Sequence, residues 1–97
     1  MKEEQIIKVL TEGGLDKQDA AWCARWIPEA FEGLSAAALS TWVGVRLQVM
    51  DYDEFVHRCE YLDIEMDDNG LPAEGQQLDF TYFIDAGLTG VLVLGYL

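Results

Sequence analysis

The spacing of apolar side chains changes about two-thirds of the way along the chain. Before residue 61 the apolar residues recur every three or four positions, which is the period of an amphipathic helix. Asp16, Ser35 and Asp51 stand where helix N-caps are needed, and the glycines after residue 12 stop the first helix. These signals predict helices over residues 2–12, 17–32, 36–49 and 52–61. Within the second of these, Pro28 either ends the helix after Trp26 or starts a short helix at 28–32.

From residue 62 the apolar and polar residues alternate, as they do in half-buried strands. The segments "LDIEMD" and "LDFTYFID" show this alternation, and "GVLVLGYL", after the turn "DAGLTG", is almost wholly apolar. The pattern predicts strands over residues 62–67, 78–85 and 90–96. We therefore expect an α+β fold within a single domain, 1–97, in which the helices pack on a small antiparallel meander.

The stretch "LSTWVGVRLQVM", just before Asp51, fits both periods. Helical spacing is shown by Leu39, Val43, Leu47 and Met50, whereas strict alternation is shown by Val43, Val45, Leu47 and Val49. We interpret it as the continuation of the third helix, and the alternation leaves a strand as the other reading.

Charge is the strongest global property of the sequence. The chain has 18 acidic and six basic residues, a formal net charge of -12. Residues 1–50 contain seven acids and five bases, whereas residues 51–85 contain eleven acids and only Arg58. Such a surface opposes direct binding to nucleic acid or to an anionic membrane, because both need Lys and Arg. It favours a basic partner.

The alternation in 62–67 and 78–85 predicts where these acids lie. If the two strands pair, every side chain that leaves the core shares one sheet face. The residues expected to contact a partner are the acids of that face, an acid in the following turn and an apolar anchor: Asp63, Glu65, Asp67, Asp79, Asp85, Asp68 and Phe83. The alternative is a solvated face whose acids protect an edge strand from pairing.

A calcium loop is the other reading of the acidic segment. Glu65, Asp67, Asn69 and Gly70 match the first, third, fifth and sixth positions of an EF-hand loop. The twelfth position is Gln76, which lacks the bidentate carboxylate that holds the ion. We therefore predict no metal and no other cofactor.

Few residues suit catalysis. His57 is the only histidine; Asp53 lies one helical turn before it, and Cys59 points elsewhere on the same helix. Phosphate-binding glycine motifs are absent from the sequence. We expect a non-enzyme, and we expect Trp22 and Trp26, one helical turn apart, to anchor the core.

The cysteine pattern and the chain start suggest a compartment. The two cysteines have neither disulfide density nor metal-binding spacing, so we expect buried free thiols. The first residues do not resemble a secretory signal, and the longest apolar run is too short to span a bilayer. A cytoplasmic location is expected.

Together these features predict a small acidic binding protein that presents carboxylates to a basic partner such as a nucleic-acid-binding protein or complex. This size and charge are shared by inhibitors or nucleic-acid mimics of the phage anti-restriction and anti-CRISPR kind and by immunity proteins of toxic nucleases, although no motif links them to the chain. The first alternative is a structural subunit of a homo- or hetero-oligomer. The second is a degenerate calcium-binding domain.

Overall fold

The computed structural model of the chain describes residues 1–85, 87 and 89–97. Its elements are, in order, α1 (Glu3–Glu12), α2 (Lys17–Trp26), a 3₁₀ helix (Pro28–Phe31), α3 (Ala36–Val43), β1 (Leu47–Asp51), α4 (Tyr52–Tyr61), β2 (Phe80–Ile84) and β3 (Gly90–Gly95). The strands form an antiparallel sheet in the order β1-β3-β2. The helices and this sheet confirm the predicted α+β class.

Both faces of the sheet are covered by apolar residues. Leu92 of β3 packs with Leu10 and Leu39 of the first and third helices, on what we call the helical face. Its neighbours along β3 point the opposite way and pack with Phe55 and Cys59 of α4, on the α4 face. The protein therefore has three layers, with the central strand β3 buried between two sets of side chains.

The two glycines after α1 have different roles. Gly13 lies against Val43 of α3, so a side chain at this position would overlap that valine. Gly14 has a φ of 105°, which is accessible to glycine and strained for other residues. The first allows α1 and α3 to approach closely, and the second turns the chain toward α2.

The predicted helices at 2–12 and 52–61 are confirmed, and the other two are shorter than predicted. Within the segment predicted over 17–32, α2 ends at Trp26 and the 3₁₀ helix begins at Pro28, as the sequence predicts, because proline has no N–H to continue the helical ladder.

The helix predicted over 36–49 is wrong beyond Val43. Gly44 ends α3, and the alternating residues that follow form β1. The Gly95 amide donates to the Arg46 carbonyl at 2.7 Å, so pairing with β3 decides the conformation that local spacing left open.

The strand predicted over 62–67 is also wrong. Asp63 has a φ of 57°, which breaks extended structure directly after α4, and Met66 forms only an isolated bridge with Pro72. The alternation is real, because Ile64 and Met66 are half-buried against the α4 face. An irregular segment that covers a core can alternate without joining a sheet.

The predicted meander is wrong, since the third strand of the sheet is β1, not 62–67, and β1 pairs with β3 rather than with β2. The strands predicted over 78–85 and 90–96 are confirmed with shorter bounds, as β2 and β3. Within the predicted turn between them, residues 86 and 88 lie outside the described residues.

The tryptophans of α2 differ in burial. Trp22 is half-buried and packs against the helical core cluster, as predicted. Trp26 is 67% exposed, so its predicted place in the core is wrong. Of the helices in the described residues, none is long and apolar enough to cross a membrane.

Candidate functional site

The acids are concentrated in one of the three layers. We call residues 51–78, which comprise α4, its N-cap and the segment after it, the acid-rich layer. It contains nine acidic residues, all exposed, and one basic residue, Arg58. Residues 1–46 of the opposite layer contain seven acids and five bases. Asp79 and Asp85 point to that side from the sheet and bring it to nine acids and five bases, a net charge of -4, against nine acids and one base, a net charge of -8, in the acid-rich layer. The sheet therefore separates a strongly anionic side of the molecule from a weakly anionic one.

The only basic side chain of the acid-rich layer is already engaged. Arg58 forms an ion pair with Glu54 at 3.0 Å and donates to the Gln48 side chain of β1 at 2.9 Å. Glu54 is thereby the only acid of this layer with an ion-pair partner among the described residues. The remaining carboxylates face solvent without a compensating charge.

The segment after α4 is held by its own hydrogen bonds. The Tyr52 hydroxyl donates to the Gly70 carbonyl at 2.7 Å, which ties the segment to α4. The Gln76 side chain accepts from the Glu65 amide at 2.7 Å and donates to the Glu65 carbonyl at 2.8 Å. These bonds use the backbone of Glu65 and leave its carboxylate free, so an ordered scaffold presents the acids.

Asp67 is the one acid of this segment with a clear structural role. Its carboxylate accepts from the amides of Asn69 at 2.8 Å and Leu71 at 3.1 Å, which closes a tight turn. Both Asp67 and Gln76 of the suspected calcium loop thus bond to the segment itself. In residues 1–85, 87 and 89–97, no group of three or more His, Cys, Asp or Glu side chains is arranged to hold a metal ion.

The predicted partner-contacting residues divide into two groups. Asp63, Glu65, Asp67 and Asp68 all lie exposed in the acid-rich layer. They do not share a sheet face, because their segment is not a strand.

Asp79, Phe83 and Asp85 point instead toward the helical face, as their alternation along β2 requires. Phe83 is half-buried and packs against the helical core cluster. The predicted acidic sheet face is therefore wrong, because both sheet faces are used for the core, and Phe83 is not an exposed anchor.

Asp85 holds together the end of β2 and the start of β3. Its carboxylate accepts from the Thr89 amide at 2.8 Å, from the Thr89 hydroxyl, and at 3.4 Å from both the Gly90 amide and the Trp22 indole N–H. Burial raises the pKa of Asp85, but these hydrogen bonds outweigh it and leave the pKa below the ordinary 3.8. This acid is a structural group.

Exposed apolar residues, which were not identified from the sequence, lie beside the acids. Tyr61 is 88% exposed and Leu62 is 49% exposed. Together with His57 and Leu97 they line a groove of about 400 Å³ at the end of α4. Tyr61 could have been found from its position, since two residues after the buried Cys59 is about 200° around the helix.

The fold and this surface define a class: a small α+β domain whose charge is segregated into one layer, with exposed apolar residues at the end of that layer. Comparison of the chain with models of protein families, with curated proteins and with solved structures gives no match.

Proposed function

We propose that this chain is a non-enzymatic binding protein whose acid-rich layer docks on a basic protein. The observation that carries the proposal is the segregation of charge: nine exposed acids and one engaged base on one side of the sheet. Concentrating charge of one sign opposes folding through repulsion, and it speeds and orients association with a partner of the opposite sign.

The mechanism is competition for cationic side chains. Asp63, Glu65 and Asp68 have carboxylates with no hydrogen-bond partner among the described residues, and all three are exposed. On a protein that binds nucleic acid, they would occupy the Lys and Arg side chains that otherwise contact phosphates. Tyr61 and Leu62 supply an apolar anchor, since exposed aromatic residues often dominate the energy of an interface.

The cytoplasm is the compartment we propose for this function. Cys23 and Cys59 are both free and buried. A chain with reduced, sequestered thiols suits a reducing environment, where disulfides seldom persist.

The test is capture of the partner with charge-reversed variants. The tagged chain is incubated in lysate of its natural host, eluted with increasing salt and analysed by mass spectrometry. The double variant Asp63→Lys/Glu65→Lys changes the acid-rich layer. Glu12→Lys/Glu29→Lys makes the same change in charge on exposed residues of the opposite layer, and circular dichroism checks that both variants fold.

We expect the wild type and the Glu12/Glu29 variant to capture the same basic protein in a salt-sensitive fraction, and the Asp63/Glu65 variant to lose at least about tenfold of it. Equal capture by both folded variants would show that the acid-rich layer is not the binding surface.

A structural subunit is a second candidate, and the exposed Trp26 of α2 favours it. A tryptophan that leaves most of its ring in solvent is often covered by another chain. This candidate predicts a mass above 10.9 kDa in solution that persists in high salt and falls to the monomer in Trp26→Ala. Light scattering after size exclusion distinguishes it from the salt-sensitive binding proposed first.

A further inference from the structure

Among the described residues, the outer edge of β2 has no backbone partner. The Tyr96 amide donates to the Asp79 carbonyl at 3.0 Å, which fixes the alternation of hydrogen-bonded pairs between β2 and β3. The N–H and C=O groups of Phe80, Tyr82 and Ile84 therefore point away from the sheet. Within the part of the chain that the structure describes, none of these groups forms a backbone hydrogen bond with another segment. This edge can accept a further strand.

A groove runs beside this edge on the helical face. It has a volume of about 580 Å³, and its lining includes Trp42, Thr81, Phe83 and Tyr96. The side chains of an added strand that point to the helical face would lie next to Thr81 and Phe83 and enter the groove. Aromatic walls beside a free strand edge provide side-chain pockets in addition to main-chain hydrogen bonds, and extended peptides use both.

The charges at the two ends of the strand select the occupant. Asp79 precedes β2 and Asp85 follows it, both on the helical face. If a second copy paired antiparallel about Tyr82, Asp79 of each copy would lie opposite Asp85 of the other. Like charges directly opposite each other destabilise strand pairing. An extended segment with Lys or Arg at both ends places opposite charges there instead.

We propose that the free edge of β2 binds an extended segment of a partner protein that carries basic residues six positions apart. The segment adds a fourth strand to the sheet, its basic residues face Asp79 and Asp85, and an apolar residue between them fills the groove beside Phe83. This surface lies on the helical face, so the proposal does not depend on the function of the acid-rich layer.

The probe is the blocked peptide Lys-Thr-Val-Thr-Val-Thr-Lys, whose terminal lysines have the required spacing. Its binding is followed by the amide chemical shifts of the isotope-labelled full chain as the peptide concentration is raised to about 1 mM, which covers the dissociation constants of weak peptide complexes. We expect saturable shifts at residues 80–84. Only alternate amides of the peptide face the edge of β2. We therefore expect that N-methylation of that set abolishes the chemical-shift changes and that N-methylation of the other set does not affect them.

The charge requirement has a matched pair of variants. Asp79→Lys is expected to weaken binding about fivefold or more, whereas Glu12→Lys, the same change in charge on an exposed residue at the end of α1, changes it less than about twofold. Absence of saturable shifts at 1 mM, equal effects of the two methylated sets, or equal effects of the two variants would overturn the proposal. Each of these results leaves the capture experiment with Asp63 and Glu65 unaffected, so the two proposals fail separately.

Discussion

Single carboxylates in this protein have different roles despite similar sequence surroundings. Asp85 accepts four hydrogen bonds and joins β2 to β3, and Asp67 closes a turn with two. Asp63 and Asp68 make none among the described residues. The sequence shows only that all are acids in alternating or turn segments. The difference depends on which amides the fold brings near each one, and neither composition nor spacing carries that information.

The role of Asp85 predicts a pH-dependent loss of stability. Asp85→Asn is expected to lower the free energy of unfolding by about 1–2 kcal/mol at neutral pH, because hydrogen bonds to a charged acceptor are lost. The folded-state pKa of Asp85 lies below 3.8, so its contribution is present above that value and disappears as pH falls through the folded pKa. Denaturant titrations from about pH 7 to about pH 2 should therefore show the difference between variant and wild type shrinking.

The control for this titration is Asp79→Asn, whose carboxylate accepts no hydrogen bond among the described residues; it should change stability by less than about 0.5 kcal/mol. A difference between Asp85→Asn and wild type that stays constant across the whole pH range would contradict the role of the ionised carboxylate.

The two thiols are predicted to be inert in the folded protein. Burial, with a smaller effect of Asp19, raises the pKa of Cys23 to about 12, and burial and Glu60 raise the pKa of Cys59. Because the thiolate is the reactive form, we expect a disulfide reagent at pH 8 to label the native chain at least about 100-fold more slowly than the chain in guanidinium. A native thiol that reacts as fast as in the unfolded chain would show that its core cluster is open.

At the scale of elements, local signals succeeded where a cap or a stop residue decides the outcome. Ser35 and Asp51 cap α3 and α4 as the sequence predicts, and the bounds of α4 agree with the prediction. Local signals failed where pairing decides. Apolar and polar residues alternate both in the stretch before Asp51 and in residues 62–67, yet only the first of these segments pairs with β3. Strand partners are distant in sequence, so alternation identifies a buried side without identifying what buries it.

The cap of α4 gives a prediction at this scale. The Asp51 carboxylate accepts from the Glu54 amide at 2.8 Å, and Asp53 in the same turn has no such bond. Asp51→Ala is expected to lower the free energy of unfolding by about 1 kcal/mol, and Asp53→Ala, which loses the same charge, by less than half of that. Equal losses in parallel thermal melts would mean that charge near the helix start, and not the capping bond, stabilises α4.

At the scale of the whole molecule, the sheet divides the charge. The sequence revealed that the acids lie in the second half of the chain, and the fold turns this into a spatial separation, because residues 51–78 form the layer over one sheet face. The exposed Tyr61 and Leu62 at the end of that layer were not identified from the sequence, because composition alone does not separate apolar residues that face solvent from those in the core. The acids with an apolar group beside them are the basis of the proposed binding.

The most direct test of that proposal is zero-length coupling of carboxylates to amines with a carbodiimide, in lysate of the natural host at low salt, followed by mass spectrometry of the cross-linked peptides. This chemistry joins an acid to a lysine without a spacer, so it reports carboxylates and amines that come into direct contact. The account predicts links from Asp63, Glu65 or Asp68 to lysines of one basic protein, lost in about 0.5 M salt. Links to a partner only from acids of residues 1–46, or none from residues 51–78, would contradict it.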